Sequence, residues 1–224
     1  MKKAINLILG ICALALLYIC YGSIMEPINF QKETAIREAA VKERLILIRN
    51  IEDQYRQQNQ GMFCDTFSVL INFVKNGRIP LVTKVGELSD EQMEKGLTES
   101  KAAAIVNSGD AKAIAANGLE NFRRDTVWTA MADSLLGPDF NVDSLQYIPY
   151  SNGDKFELEA SIYVNKSGTV QYVMECRAPY DSYLKGLSSR EIYNLKDLAE
   201  KTDRYAGLKI GDLFNPNNNA GNWE

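Results

Sequence analysis

Histidine is absent from all 224 residues. That removes the side chain whose ordinary pKa suits it to acid–base work near neutrality, and the commonest nitrogen ligand for metals. A Ser-His-Asp triad, a Cys-His pair and an H-E-x-x-H zinc site are therefore excluded within this chain. No G-x-x-x-x-G-K-[ST] run is present to cradle a phosphate, so nucleotide hydrolysis has no motif. Long basic runs are missing too, and the formal net charge is -4, so nucleic acid is not an expected partner. No motif implies a cofactor or a metal.

Charge is also absent, locally, from Ala4 to Met25. As a helix rising 1.5 Å per residue, this segment spans about 33 Å, enough for the ~30 Å hydrocarbon layer of a bilayer. Lys2 and Lys3 precede it, and Tyr18 and Tyr21 stand toward its far end, where amphipathic rings favour the interface. The apolar run is longer than the ~7–15 residues of a cleaved signal, and Cys20-Tyr21-Gly22 is a poor cleavage context. Cys12 follows Ile11 and Cys20 follows Ile19, which does not suit lipoprotein processing. An uncleaved, single-pass signal anchor over residues 1–26 is the expectation, with residues 4–25 in the bilayer. By the positive-inside tendency the N-terminus is cytoplasmic and the remainder lies in a bacterial periplasm. Pro27, which lacks the backbone donor of a continuous helix, is read as the end of the membrane helix.

Residues 31–58 read as a long amphipathic helix within a stalk over 27–60. Val41, Leu45, Ile48 and Tyr55 recur at three, four and seven, and Ile36, Ala40, Leu47 and Ile51 widen the stripe. Glu33–Arg37, Glu38–Lys42 and Glu52–Arg56 are spaced for i,i+4 pairs on the solvated face. The stripe needs a cover. One cover is the chain's own domain; the other is partner helices, which makes Ile36, Val41, Leu45, Ile48 and Tyr55 the partner-facing set.

Further on, Asp65 is placed to cap a helix over 66–75, and Arg78 to Val85 reads as a short edge segment containing Pro80. Ser89 with Gln92 fits a capping box. Gly96, Gly109 and Gly118 punctuate an exposed insertion between Gly86 and Leu119, and residues 126–132 fit neither period. Phe156, Leu158, Ala160, Ile162 and Val164 alternate with polar residues, Asn165-Lys166-Ser167-Gly168 turns, and Val170, Tyr172, Met174 and Cys176 alternate on the return. This hairpin has one face to bury, so the amphipathic helix belongs behind it. Ser188 with Glu191 opens a last helix closed by Gly207, and Leu208 to Phe214 suggests a short strand. The expected fold class is α+β: a transmembrane helix continued by a long amphipathic helix packed on a small antiparallel sheet, with further short helices. The folded domain spans 61–214. An Asn-rich tail over 215–224 is too polar to pack by itself, with Trp223 either an anchor for it or a partner contact.

Candidate chemistry is thin. Ser182-Tyr183-Leu184-Lys185 matches S-x-x-K, with Lys166-Ser167-Gly168 standing for K-T-G in reversed order. Asp139-x-Asn141-x-Asp143 opens like a calcium loop, but its sixth and twelfth positions are Ser144 and Tyr150. Cys64 and Cys176 are the candidate disulfide pair of an oxidising compartment; two buried free thiols are the alternative. Tyr147, Tyr150 and Tyr163 would line a pocket if the domain binds a ligand.

The first 75 residues carry a resemblance. A short basic start, an apolar helix and its charged extension lead into Ile48-Arg49-x-x-Glu52-x-x-Tyr55, Gly61-x-Phe63 and Leu70, which resembles bacterial type IV pilins and type II secretion pseudopilins. The Gly-Phe processing site and the glutamate of the mature helix have no counterpart. The remainder, ending Ala-Gly-Asn-Trp-Glu, resembles other bacterial envelope proteins with such an anchor. The resemblance implies a structural or assembly component of an envelope complex rather than an enzyme, with other membrane proteins and copies of itself as partners. A ligand- or wall-binding domain and a tethered Ser-Lys hydrolase are the alternatives.

Overall fold

The structure, a computed structural model, describes the backbone of residues 2–224 and their side chains except at 2–8, 80–83, 125 and 126. The charges expected of Lys2 and Lys3, and the Pro80 side chain, lie outside that description. The fold is α+β, and it divides into two compact units: Met1–Phe73 with Asn141–Glu224, and Val74–Phe140.

The first unit is organised by one helix, α1, over Lys2–Gln58. Its N-terminal part is apolar and exposed from Leu9 through Ile24, and it is long and apolar enough to cross a membrane. From Phe30 onward the stripe is covered: Val41, Leu45, Ile48 and Ile51 are fully buried. Pro27 corrects an expectation, because it sits inside α1 rather than at its end. A proline removes one backbone bond, but the helix is held on both sides of it. Before it, an apolar segment satisfies its amides internally; after it, Phe30 is already packed into the head.

The cover includes an antiparallel sheet in the order β3-β4-β5, of Glu157–Val164, Val170–Pro179 and Gly207–Gly211. The hairpin register pairs Leu158 with Cys176, Ala160 with Met174 and Val164 with Val170. Asn165 shapes the turn by accepting from the amides of Ser167 and Thr169. β5 packs on α1 and pairs Ile210 with Cys176. Gly211 has φ +71, and a Cβ there would collide with the Met174 carbonyl, so the end of β5 requires glycine. On the outer face Arg177 joins Glu157, Glu159 and Glu175, while Lys209 joins Glu175 and Asp212.

Two further helices, α7 (Tyr180–Tyr183) and α8 (Ser189–Lys201), follow β4. The expected capping box of α8 is not formed. Ser188 Oγ donates instead to Glu26 on α1, at 2.6 Å. The tail is also more ordered than its polarity suggests. The Gly211 amide donates to Ala220, the Asn222 amide to the Lys209 carbonyl, and the Lys209 amide to the Asn222 side chain. Trp223 stacks under Lys42, at 5.9 Å, so it anchors the tail on α1.

The helix α2 (Phe67–Asn76) follows α1; Phe73 meets Tyr55 edge-on at 5.1 Å. The second unit is a two-stranded ribbon, β1 (Arg78–Val85) against β2 (Arg123–Ala130), which resolves the segment that fitted neither period. Between the strands stand α3 (Asp90–Glu94), α4 (Glu99–Asn107) and α5 (Ala111–Ala116), and α6 (Met131–Leu136) follows β2. The expected capping box at Ser89 and Gln92 is present. The insertion has its own core of Ala102, Leu119 and Phe122.

Truncating Leu45 to alanine is expected to destabilise the detergent-solubilised chain by about 2–5 kcal/mol, read as a shift in chemical denaturation. Ile36→Ala, at a position 48 % exposed, stays within about 0.5 kcal/mol. Equal effects at the two positions contradict the burial pattern.

Candidate functional site

The seam between α1 and its head is where charge and burial are concentrated. The apolar stripe supplies area without direction, and three arginines of α1 supply register. Arg37 donates through Nη1 to the carbonyls of Tyr183, at 3.1 Å, and Lys185, at 3.0 Å, while Nε meets Glu33. Its guanidinium also lies over the Tyr150 ring at 5.3 Å, and Tyr150 holds a left-handed φ of +64. Arg44 donates to the Ser144 carbonyl at 2.6 Å. Arg49 reaches the Glu224 carboxylate at 2.8 Å and the Asn219 carbonyl at 3.4 Å. Charged donors on backbone carbonyls are stronger than neutral ones, and each bond fixes one loop against one turn of the helix.

The covered stripe corrects the partner-facing reading. Val41, Leu45 and Ile48 have no exposed surface because the head occupies that face, and Tyr55 is engaged by Phe73. Of the set, Ile36 alone is exposed.

Glu52 is the unexpected residue. Glu33–Arg37 and Glu38–Lys42 form as i,i+4 pairs, but Glu52 does not join Arg56, which approaches Asp53 instead. Glu52 is fully buried. Its Oε2 accepts from the Cys64 amide at 3.0 Å, and its Oε1 has no partner. Burial pushes its pKa up to about 8, against the lowering effect of the Cys64 amide, and nearby Asp53 and Asp65 push the same way. The signal was present in the spacing. Positions 41, 45, 48, 52 and 55 alternate by four and three, so Glu52 lies on the apolar stripe one turn beyond Ile48.

Cys64 and Cys176, the candidate disulfide pair, are buried free thiols. Cys64 Sγ donates to the Thr66 carbonyl at 3.2 Å, which sets it in the turn before α2. Cys176 lies in the middle of β4 facing the core, and desolvation raises its pKa well above normal, with Glu52 adding to the effect. Burial raises the Cys64 pKa as well. Both groups are protonated thiols at neutral pH, not nucleophiles.

The other candidates are not brought together. Ser182 is buried in α7, while the Lys185 side chain is exposed and its carbonyl serves Arg37. Lys166-Ser167-Gly168 forms the hairpin turn. Asn141 caps a 3-10 helix over Val142–Gln146 through the Asp143 amide, so the Asp-x-Asn-x-Asp run builds a cap. Tyr147 lies beneath Lys155 and Tyr150 beneath Arg37. Among the described residues no group of three or more acidic or cysteine side chains is placed to hold a metal. No family model matches this chain, and neither a curated protein nor a solved structure matches it.

Glu52 makes stability depend on pH with a definite sign. The folded chain keeps this proton up to about pH 8, whereas an unfolded chain releases it near 4.5. The contribution is whole below pH 4.5 and is lost as the pH climbs toward 8. Glu52→Gln, neutral at every pH, should match the parent at pH 4.5. It should gain over the parent at up to about 1.4 kcal/mol per pH unit above that, in paired denaturation curves. A constant difference across that range rules out the buried carboxyl as the source.

Proposed function

We propose that this chain is a single-pass protein of the bacterial inner membrane, with its head in the periplasm, that works as a structural or assembly component of an envelope complex, as a pseudopilin-like subunit or a scaffold. The observation that carries this reading is the division of α1. One half is apolar and uncovered, and the other is sealed by the chain's own head. A rod of this kind couples a folded unit to the bilayer without a flexible joint. Phe30 is packed within one or two turns of the apolar segment, so the head rides close to the membrane surface.

Such an assembly uses the surfaces left open. Within the bilayer these are the faces of residues 9–24; just outside it, Ile28 and Ile36 are half exposed. Neighbours are other membrane proteins and copies of this chain. A non-enzymatic role is supported by the missing histidine and by the separation of Ser182 from the Lys185 side chain.

In cells producing the protein, it should resist alkaline carbonate extraction. A photo-crosslinker at Leu16 or Ile36 should trap discrete protein adducts, while one at the buried Leu45 should trap none. A chain released by carbonate, or one that yields only lipid adducts from Leu16 and none from Ile36, overturns the proposal.

A further inference from the structure

The three-stranded sheet treats its two edges differently. Beyond β5 the chain lays its own tail, with Ile210 bridging Gly221 and the Lys209–Asn222 and Gly211–Ala220 bonds closing that side. The Asn222 side chain also donates to the Gly207 carbonyl at 3.0 Å. The opposite edge is β3. Just before it, Phe156 donates to the Gln146 carbonyl and Tyr147 bridges Lys155. From Glu157 to Val164, among the described residues, β3 has a ladder partner on one side only. Eight residues pair with β4 in unbroken register, with no proline, no lysine and no bulge. Those are the devices by which an edge is ordinarily withheld from another chain.

The two faces of β3 specify what such a chain would carry. On the outer face, Glu157 and Glu159 stand at the open edge, each more than half exposed, and they share the single guanidinium of Arg177 with Glu175. Three carboxylates around one arginine leave negative charge uncompensated at the edge. On the other face, Ile162, Val164 and Val170 are more than half exposed, and Tyr172 is 39 % exposed beside them. These residues continue the same side of the hairpin as the buried Met174 and Cys176, past the place where the core ends.

We propose that β3 is a docking edge for an extended segment of another protein, one that adds as a fourth strand and alternates apolar with basic side chains. Main-chain bonds to the open edge supply affinity. Basic residues fall beside Glu157 and Glu159, and apolar residues cover Leu158, Ile162 and Val164. A second copy of this chain is the poorer occupant. Its own β3 would bring two more glutamates to the same edge. Antiparallel self-pairing also turns one copy about an axis normal to the sheet, which reverses α1 and points the two apolar segments in opposite directions. That exclusion rests on the membrane-anchored reading; the open edge does not.

The test uses the full chain in phosphatidylcholine nanodiscs and a fluorescein-labelled octapeptide of alternating valine and lysine. The control is the same composition in two blocks, four valines then four lysines. The alternating peptide should bind at least about tenfold more tightly than the block peptide by anisotropy. N-methylation of every second amide should abolish its binding, and Glu157→Gln with Glu159→Gln should weaken it by at least about fivefold. Because the methylated peptide leaves the protein unaltered, misfolding of the variant cannot mimic the result. Equal binding of the alternating and block peptides, or of the methylated and unmethylated forms, overturns the proposal. So does a concentration-dependent dimer that displaces the peptide. Failure of the anchor reading would register separately, as release by carbonate with the peptide titration unchanged.

Discussion

Everything in the first unit depends on one side of one helix being covered. Val41, Leu45, Ile48 and Ile51 present a stripe that no single helix can hide, and the sheet, its loops and the tail assemble over it. Full burial contributes about 1.5–3 kcal/mol for each such side chain, which outweighs the individual polar contacts around them. Arg37, Arg44 and Arg49 then convert a non-directional attraction into a fixed register, because each guanidinium meets a particular carbonyl.

The same helix meets two solvents, and the boundary between them explains its irregular features. Where lipid would be the surroundings, the surface is uniformly apolar and needs no cover. Where the head begins, the surface splits into a dry stripe and a wet face. Pro27 stands at that change, where losing a backbone bond costs least to either side. Glu52 is the exception within the dry stripe. Its carboxyl cannot stay ionised cheaply in apolar surroundings, so it holds its proton toward pH 8 and satisfies one oxygen with the Cys64 amide. That bond ties the end of α1 to the turn before α2, so the cost of burial is offset by a fixed exit direction.

The second unit follows the same logic on a smaller scale. A two-stranded ribbon is marginal without support. Here three short helices stand at its end, and Arg124 closes the base by donating to the carbonyls of Val85 and Gly86 while lying over Phe122 at 3.9 Å. Gly86, at φ +74, has the Asn121 carbonyl where a side chain would begin, so the turn out of β1 cannot carry one.

What the amino-acid order determined by itself is local: a charge-free run long enough for a bilayer, a helical stripe at spacings of three and four, an alternating hairpin with an asparagine-glycine turn, a capping box at Ser89. Each is encoded in neighbours along the chain, and each is present. Tertiary structure alone decided which partner answers each face. It placed the head on Val41, Leu45 and Ile48, kept Cys64 and Cys176 as buried thiols, drew Ser188 to Glu26, buried Glu52 and laid the polar tail along β5. Those outcomes depend on residues more than a hundred positions apart meeting in space. Periodicity says that a surface must be covered, but only packing between distant segments selects the cover.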